Sequence, residues 1–144
     1  MNLHITDTGT ITFLFIDDDR IEQELMKAKF KTTAREDIEL VCVPTVELAL
    51  EVISNSPISI ILLDNRLGPV TDYRETLPQL RSAGFTGPIG IVSNNIRDEQ
   101  IQSFEDFGAD FRMAKEEIDA NTIHFLLSEY TKKLLPEQRD DDYL

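Results

Sequence analysis

Short runs of apolar residues alternate along the chain with longer segments in which apolar residues recur at helical spacing. The clearest run is ISIILLD at residues 58–64, in which five apolar residues, interrupted only by Ser59, lead directly to Asp64. A run of this length is typical of a strand that is buried on both faces, as in a parallel sheet. The pattern predicts five strands, at residues 11–16, 38–43, 58–63, 88–92 and 110–114.

The segments that follow these strands have the spacing of amphipathic helices. Asp19 is predicted to cap the first helix, and Gly108 is predicted to close the fourth. Pro78 lies inside the third helical segment, where a proline lacks an N–H group and clashes with the preceding turn. We therefore expect the third helix to be short or irregular. The other helices are predicted at residues 20–30, 46–54, 101–107 and 123–134.

Alternating strands and helices predict an α/β fold in which five parallel strands form a doubly wound sheet. We expect this domain to cover residues 11–135, because a chain of 144 residues has room for one hydrophobic core but not for two. Residues 1–10 form a polar extension without periodicity, and residues 136–144 are predicted to be an acidic, disordered tail.

The charge of the chain is strongly negative, with 14 basic against 27 acidic residues and a net charge of −13. This balance argues against a nucleic-acid partner, because affinity for phosphates comes largely from Lys and Arg. It suits a protein that meets a basic or polar protein surface, or one that holds a cation. No apolar run approaches ~20 residues and no signal peptide is evident, so we expect a cytoplasmic protein without membrane insertion.

Polar side chains with possible chemistry follow four of the strands: Asp17 and Asp18, then Asp64, Ser93 and Lys115. Asp64 by itself would also suit a turn. Because the carboxyl ends of parallel strands meet at one edge of the sheet, we expect these side chains to converge. Carboxylates so close together would repel one another without a cation, and Mg²⁺ prefers such oxygen ligands. A nucleophile, a metal, a hydroxyl and an ammonium group together indicate a phosphoryl site.

Four stretches of the chain resemble the receiver domain of bacterial two-component response regulators: FLFIDDD, ISIILLD, PIGIVS and FGADFRMAK. The resemblance covers about residues 11–135 and implies the flavodoxin-like (βα)5 receiver fold. It implies a stand-alone response regulator that takes a phosphoryl group from the phosphohistidine of a histidine kinase or histidine phosphotransfer protein. Such a domain catalyses its own phosphorylation and dephosphorylation, and is not an enzyme for an outside substrate. It signals to a downstream protein by phosphorelay or by docking.

The resemblance also implies a role for each matching position. Asp64 is the phosphoacceptor, while Ser93 and Lys115 contact the phosphoryl group. Arg66, Asn94 and Asn95 hold positions that tune the lifetime of the phosphorylated state. The implied Mg²⁺ ligands are Asp18, Asp64 and the backbone carbonyl of Arg66, with Asp17 acting through water.

The chain departs from the family pattern after and before Lys115. Glu116 replaces the usual proline, so we expect a trans peptide bond, because a cis bond without proline costs ~3 kcal/mol. Arg112 replaces the usual Tyr or Phe of the activation switch. Its neighbour Phe111 should point to the opposite face of the sheet, because side chains alternate along a strand. Phe111 and Arg112 are therefore the expected switch and interaction positions.

Three other interpretations remain open at this stage. The departures at Asn94, Arg112 and Glu116 favour a pseudo-receiver, which binds a protein partner without being phosphorylated. A Mg²⁺-dependent phosphohydrolase would also use an aspartate nucleophile at a strand end, and a flavodoxin-like protein would bind FMN at the same edge. A two-fold homodimer through the face of the fourth and fifth helices is compatible with the receiver interpretation.

Overall fold

The computed structural model describes residues 9–95, 97 and 99–134. Most of the predicted extension at residues 1–10 and all of the predicted tail at 136–144 lie outside this range. The described strands are β1 (Ile11–Ile16), β2 (Ile38–Val43), β3 (Ile60–Asp64), β4 (Ile89–Ser93) and β5 (Phe111–Ala114). They form one five-stranded parallel sheet, as predicted, and their order in it is β2-β1-β3-β4-β5.

Within the described residues, four α-helices and two 3-10 segments connect and cover the strands. Asp19 caps the first helix as predicted, since its carboxylate accepts hydrogen bonds from the backbone N–H groups of Ile21 and Glu22. The helices are α1 (Arg20–Lys31), α2 (Val46–Asn55), α3 (Tyr73–Ser82) and α4 (Ala120–Leu134), and the 3-10 segments are Glu99–Phe107 and Lys115–Glu117. In the part of the chain that is described, none of these helices is long and apolar enough to cross a bilayer.

Apolar side chains cover both faces of the sheet, because its central strands are continuous apolar runs. Alternate residues of β3 face opposite sides, with Leu62 on one face and Leu63 on the other. Helices α1 and α4 pack against the face that includes Phe13, Phe15 and Leu62. Helices α2 and α3 and the segment Glu99–Phe107 pack against the other face. This two-sided core fixes the position of each strand end.

Helix α3 begins before Pro78, continues through it and has 10 residues in all, so the expectation of an irregular helix is wrong. The carboxylate of Asp72 caps the helix by accepting from Arg74 N at 2.9 Å. Two buried side chains, Tyr73 and Leu77, hold the preceding turn against the core. Pro78 costs one backbone hydrogen bond in this turn, and the cap and the buried face offset that loss.

The predicted fourth helix is a 3-10 segment rather than an α-helix. Ser103 has non-helical backbone angles (φ −100°, ψ 29°), which divide Glu99–Phe107 into two pieces. Two neighbours hold the segment at this point. The side chain of Tyr73 forms a hydrogen bond with Ser103, and Arg112 Nη1 donates to Gln102 Oε1 at 2.6 Å. Gly108 closes the segment in the left-handed region, at φ 95°, as the predicted cap requires.

Candidate functional site

The carboxyl ends of β1, β3, β4 and β5 surround one cleft of about 320 Å³. The topology of the sheet explains why residues that are far apart in sequence meet there, since the carboxyl ends of parallel strands all lie at the same edge. Every predicted site residue except Phe111 and Arg112 lines this cleft. Its lining includes Asp17, Asp18, Asp64, Arg66, Ser93, Asn94, Asn95 and Lys115.

Three carboxylates form a cluster at the floor of the cleft. Asp17, Asp18 and Asp64 each offer an oxygen within 4.8 Å of the other two. Asp17 is fully buried and Asp64 is 9% exposed, whereas Asp18 lies at the surface. Hard carboxylate oxygens at this spacing are ligands that suit Mg²⁺. The donor set therefore fits a magnesium ion.

Asp17 is held in place from several sides. Its backbone N–H donates to Val43 O at 3.0 Å, which extends the β1–β2 ladder by one residue. Its carboxylate accepts from Asp19 N at 2.9 Å, and its carbonyl accepts from Gln23 Nε2 at 2.7 Å. The start of α1 and the end of β1 are thus joined around this carboxylate.

The ammonium group of Lys115 lies among the carboxylates. Its Nζ is 2.7 Å from Asp17 Oδ2, 3.3 Å from Asp64 Oδ1 and 3.9 Å from Glu22 Oε2. Burial acts to lower the pKa of Lys115, but the hydrogen bond to Asp17 and the charge of Asp64 outweigh burial, so that this pKa is raised. Lys115 is therefore a charged cation in the cleft.

Asp64 has an altered proton affinity. Burial, and secondly the charge of Asp17, raise the pKa of Asp64 to about 7, against the opposing effect of Lys115. A carboxylate that is destabilised in this way gains from additional positive charge beside it. The same geometry therefore favours the binding of a cation next to Asp64.

The hydroxyl of Ser93 is engaged in a local turn. Ser93 Oγ accepts from Asn95 N at 3.1 Å and donates to Asn95 O at 3.3 Å. Asn94, Asn95 and Arg66 are exposed at the rim of the cleft. Their placement is compatible with the tuning role that the resemblance implies, which stays a prediction.

Phe111 and Arg112 lie on opposite faces of β5, as the alternation predicted. The ring of Phe111 lies over Gly90 and contacts Tyr130, with ring centroids 6.0 Å apart. Arg112 lies on the other face, where its guanidinium is 5.5 Å from the centre of the Phe104 ring. The Lys115–Glu116 bond is trans, as predicted, since the described residues contain no cis peptide.

Three residues near the site were not predicted from the sequence. Glu22 and Lys29 approach Lys115 from α1, and only the packing of this helix could reveal them. Asn65 follows Asp64 and is buried, and among the described residues no donor reaches its Oδ1. A polar residue directly after a buried strand was the one signal that could have indicated Asn65.

Comparisons with known proteins identify the architecture. No family model matches the chain, and no curated protein does. Among solved structures, the receiver domain of the Francisella response regulator 1452 aligns with a TM-score of 0.68 and 21% identity, over 86% of this chain and 98% of that one. The chain has the receiver-domain fold.

Two further receivers support the same conclusion. The BeF3-activated N-terminal receiver domain of Klebsiella pneumoniae RstA aligns with a TM-score of 0.66 and 25% identity, over 80% of this chain and 94% of that one. The chemotaxis response regulator CheY4 of Vibrio cholerae aligns with a TM-score of 0.65 and 17% identity, over 84% of this chain and 98% of that one. At these identities the receiver fold is shared, while an argument about function has to rest on the site.

Proposed function

We propose that this chain is a response regulator receiver that accepts a phosphoryl group on Asp64 in a Mg²⁺-dependent reaction. The donor is the phosphohistidine of a histidine kinase or of a histidine phosphotransfer protein. The observation that carries the proposal is the convergence of three carboxylates and one ammonium group, with Lys115 Nζ 3.3 Å from Asp64 Oδ1. A nucleophile, a set of metal ligands and a fixed cation are the parts that phosphoryl transfer requires.

In the proposed reaction, a carboxylate oxygen of Asp64 attacks the phosphorus atom. The new oxygen–phosphorus bond forms as the phosphorus–nitrogen bond breaks, and the departing electron pair remains on the imidazole, which takes up a proton. Lys115 stabilises the negative charge on the phosphoryl oxygens, and the hydroxyl of Ser93 donates to one of them. Mg²⁺ would be held by Asp18, Asp64 and the carbonyl of Arg66, with Asp17 acting through water, and would supply further positive charge.

The phosphorylated state would act through protein partners. The net charge of −13 disfavours nucleic acid as a target. We propose that output occurs by phosphorelay or by docking of a downstream protein. Arg66, Asn94 and Asn95 at the rim of the cleft would set how readily water reaches the aspartyl phosphate.

The test is the intact mass of the protein after incubation with acetyl phosphate or with a phosphohistidine donor, with and without Mg²⁺. We expect a gain of one phosphoryl group that requires Mg²⁺ and is lost in Asp64→Ala. Asp37→Ala is the matched control, because Asp37 lies at the surface in an ion pair with Arg35 and should leave labelling unchanged. Labelling that persists in Asp64→Ala would refute the assignment of the phosphoacceptor.

A pseudo-receiver is the second candidate, and the surroundings of Arg112 favour it. Arg112 takes the place of the aromatic switch residue and is engaged by Gln102 and Phe104. An absence of labelling with either donor, together with an absence of Mg²⁺ binding, would support this constitutive interaction module. Turnover of a small phosphate ester would support a phosphohydrolase instead.

A further inference from the structure

Lys29 makes a long-range contact with the backbone of Lys115. Lys29 lies in the last turn of α1, and its Nζ donates to Lys115 O at 2.6 Å across 86 positions of sequence. A hydrogen bond from an ammonium group to a carbonyl is charge-assisted and is stronger than a neutral one. This bond therefore ties α1 to the residue that carries the cation of the site.

The backbone of Lys115 lies where the sheet no longer supports it. Strand β5 is an edge strand, and its pairing with β4 ends at Ala114. The Ala114 N–H donates to Glu117 Oε1 at 3.2 Å, and the chain then enters a three-residue 3-10 turn. The Lys115 carbonyl accepts from Ile118 N at 3.3 Å and from Lys29 at the shorter distance of 2.6 Å.

The position of this backbone determines where the Lys115 ammonium group lies. The side chain of Lys115 reaches Asp17 at 2.7 Å and Asp64 at 3.3 Å, whereas Glu22 on α1 is a competing carboxylate at 3.9 Å. A displacement of the turn would change the distances from the ammonium group to all three carboxylates, including the 3.3 Å to Asp64. Catalysis that depends on placement is sensitive to displacements of about 1 Å.

We propose that Lys29 is a positioning residue that fixes Lys115 for phosphoryl transfer. The proposal rests on the proposed function for its kinetic consequence, but its structural part stands independently. Lys29 acts on the site through the Lys115 carbonyl. It holds in place a lysine that is followed by a trans bond to Glu116.

The kinetic test compares Lys29→Met, Lys29→Arg and Lys27→Met. Lys27 is the matched control, because it lies on the same helix and forms an ion pair with Glu24 at the surface. With acetyl phosphate and saturating Mg²⁺, we expect Lys29→Met to be labelled about 10-fold more slowly than wild type. The Mg²⁺ concentration for half-maximal labelling should stay within about twofold, since the carboxylates are intact. Lys29→Arg should recover most of the rate, because it retains a charged donor.

Amide hydrogen exchange provides a readout that needs no phosphodonor. The N–H of Ile118 donates to Lys115 O, so it should exchange faster in Lys29→Met than in Lys27→Met. Equal labelling rates and equal exchange in these two variants would overturn the proposal. The proposal would also be overturned if Lys29→Met lowered the labelling rate and raised the Mg²⁺ concentration for half-maximal labelling together. That result would indicate general damage to the site. If wild type is not labelled at all, the proposed function fails, and exchange at Ile118 still decides whether Lys29 holds the turn.

Discussion

Lys115 Nζ lies 2.7 Å from Asp17 Oδ2, although the two residues are 98 positions apart. The strands that precede them, β1 and β5, are separated in the sheet by β3 and β4. Only the carboxyl edge of the sheet brings these side chains together. The pair is buried, with Asp17 fully enclosed and Lys115 7% exposed, and this burial has consequences for stability.

Replacing Lys115 by Met should destabilise the protein. The variant leaves the carboxylates of Asp17 and Asp64 without their ammonium partner, and breaking a buried pair from one side costs about 3 kcal/mol. We expect a loss of that order in the free energy of unfolding by urea without Mg²⁺, and a partial recovery when Mg²⁺ is added. Lys27→Met, which removes an exposed charge, should change stability by less than about 0.5 kcal/mol. Equal losses in the two variants would contradict this account.

Replacing Asp64 by Asn should stabilise the protein, and more so as the pH rises. An unfolded aspartate ionises near pH 3.8, whereas the folded-state pKa of Asp64 is about 7. Between these values the folded state binds more protons than the unfolded state, so wild-type stability falls as the pH increases. The variant should lack this component and exceed wild type by about 1–3 kcal/mol at pH 8 without Mg²⁺.

The control for the pH prediction is Asp37→Asn. A side-chain hydrogen bond from Arg35 lowers the pKa of Asp37, so the charged form of Asp37 favours the folded state. This substitution should therefore not stabilise the protein at pH 8. Urea unfolding at several pH values between 4 and 8 measures both variants. A constant difference between Asp64→Asn and wild type over that range would count against the raised pKa of Asp64.

A methyl group at Gly90 should disrupt the packing of β4 against β5. Gly90 and Phe111 are register partners, and a Cβ atom added at Gly90 would overlap Phe111 Cε2. We expect Gly90→Ala to cost about 1–3 kcal/mol, the usual range for overpacking a core. The cost should shrink markedly in a Phe111→Ala background, where the ring is absent. Thermal or urea unfolding of the four proteins of this cycle gives the answer, and additive effects would show that the ring is not the obstacle.

Replacing Arg112 by Ala should loosen the segment Glu99–Phe107. Arg112 donates to Gln102 Oε1 at 2.6 Å and lies over the ring of Phe104. The loss of these contacts should lower stability by about 1–2 kcal/mol and accelerate amide exchange within the segment. Arg97→Ala is the control, because Arg97 is exposed and should leave the exchange of this segment unchanged. Slow exchange that persists in Arg112→Ala would mean that other contacts hold the segment.

The residues at the carboxyl edge of the sheet could be predicted from the local sequence. Continuous apolar runs specify strands that are buried on both faces, and the residues that end them must then lie at one edge of a parallel sheet. Asp17, Asp18, Asp64, Ser93 and Lys115 could be assembled in this way. The alternation along a strand was sufficient to place Phe111 and Arg112 on opposite faces.

The conformation of Glu99–Phe107 could not be predicted from the local sequence in the same way. Apolar residues at helical spacing predicted an α-helix, but the kink at Ser103 is held by Tyr73, 30 positions earlier, and by Arg112, from β5. For α3 the error was the reverse, since Pro78 predicted an irregular helix and the structure has a continuous one. The burial of Tyr73 and Leu77 outweighs the local cost of a proline. Local preferences are small, and tertiary contacts override them.

The sheet, its carboxyl edge and the residues that carry the candidate chemistry could be predicted from the sequence, because they depend on period and order along the chain. How that chemistry is supported depends on tertiary packing. The contacts of Lys29 with Lys115 O and of Glu22 with Lys115 Nζ arise from the packing of α1 beside the end of β5. Such contacts join segments far apart in sequence, and no local pattern encodes the distance between them.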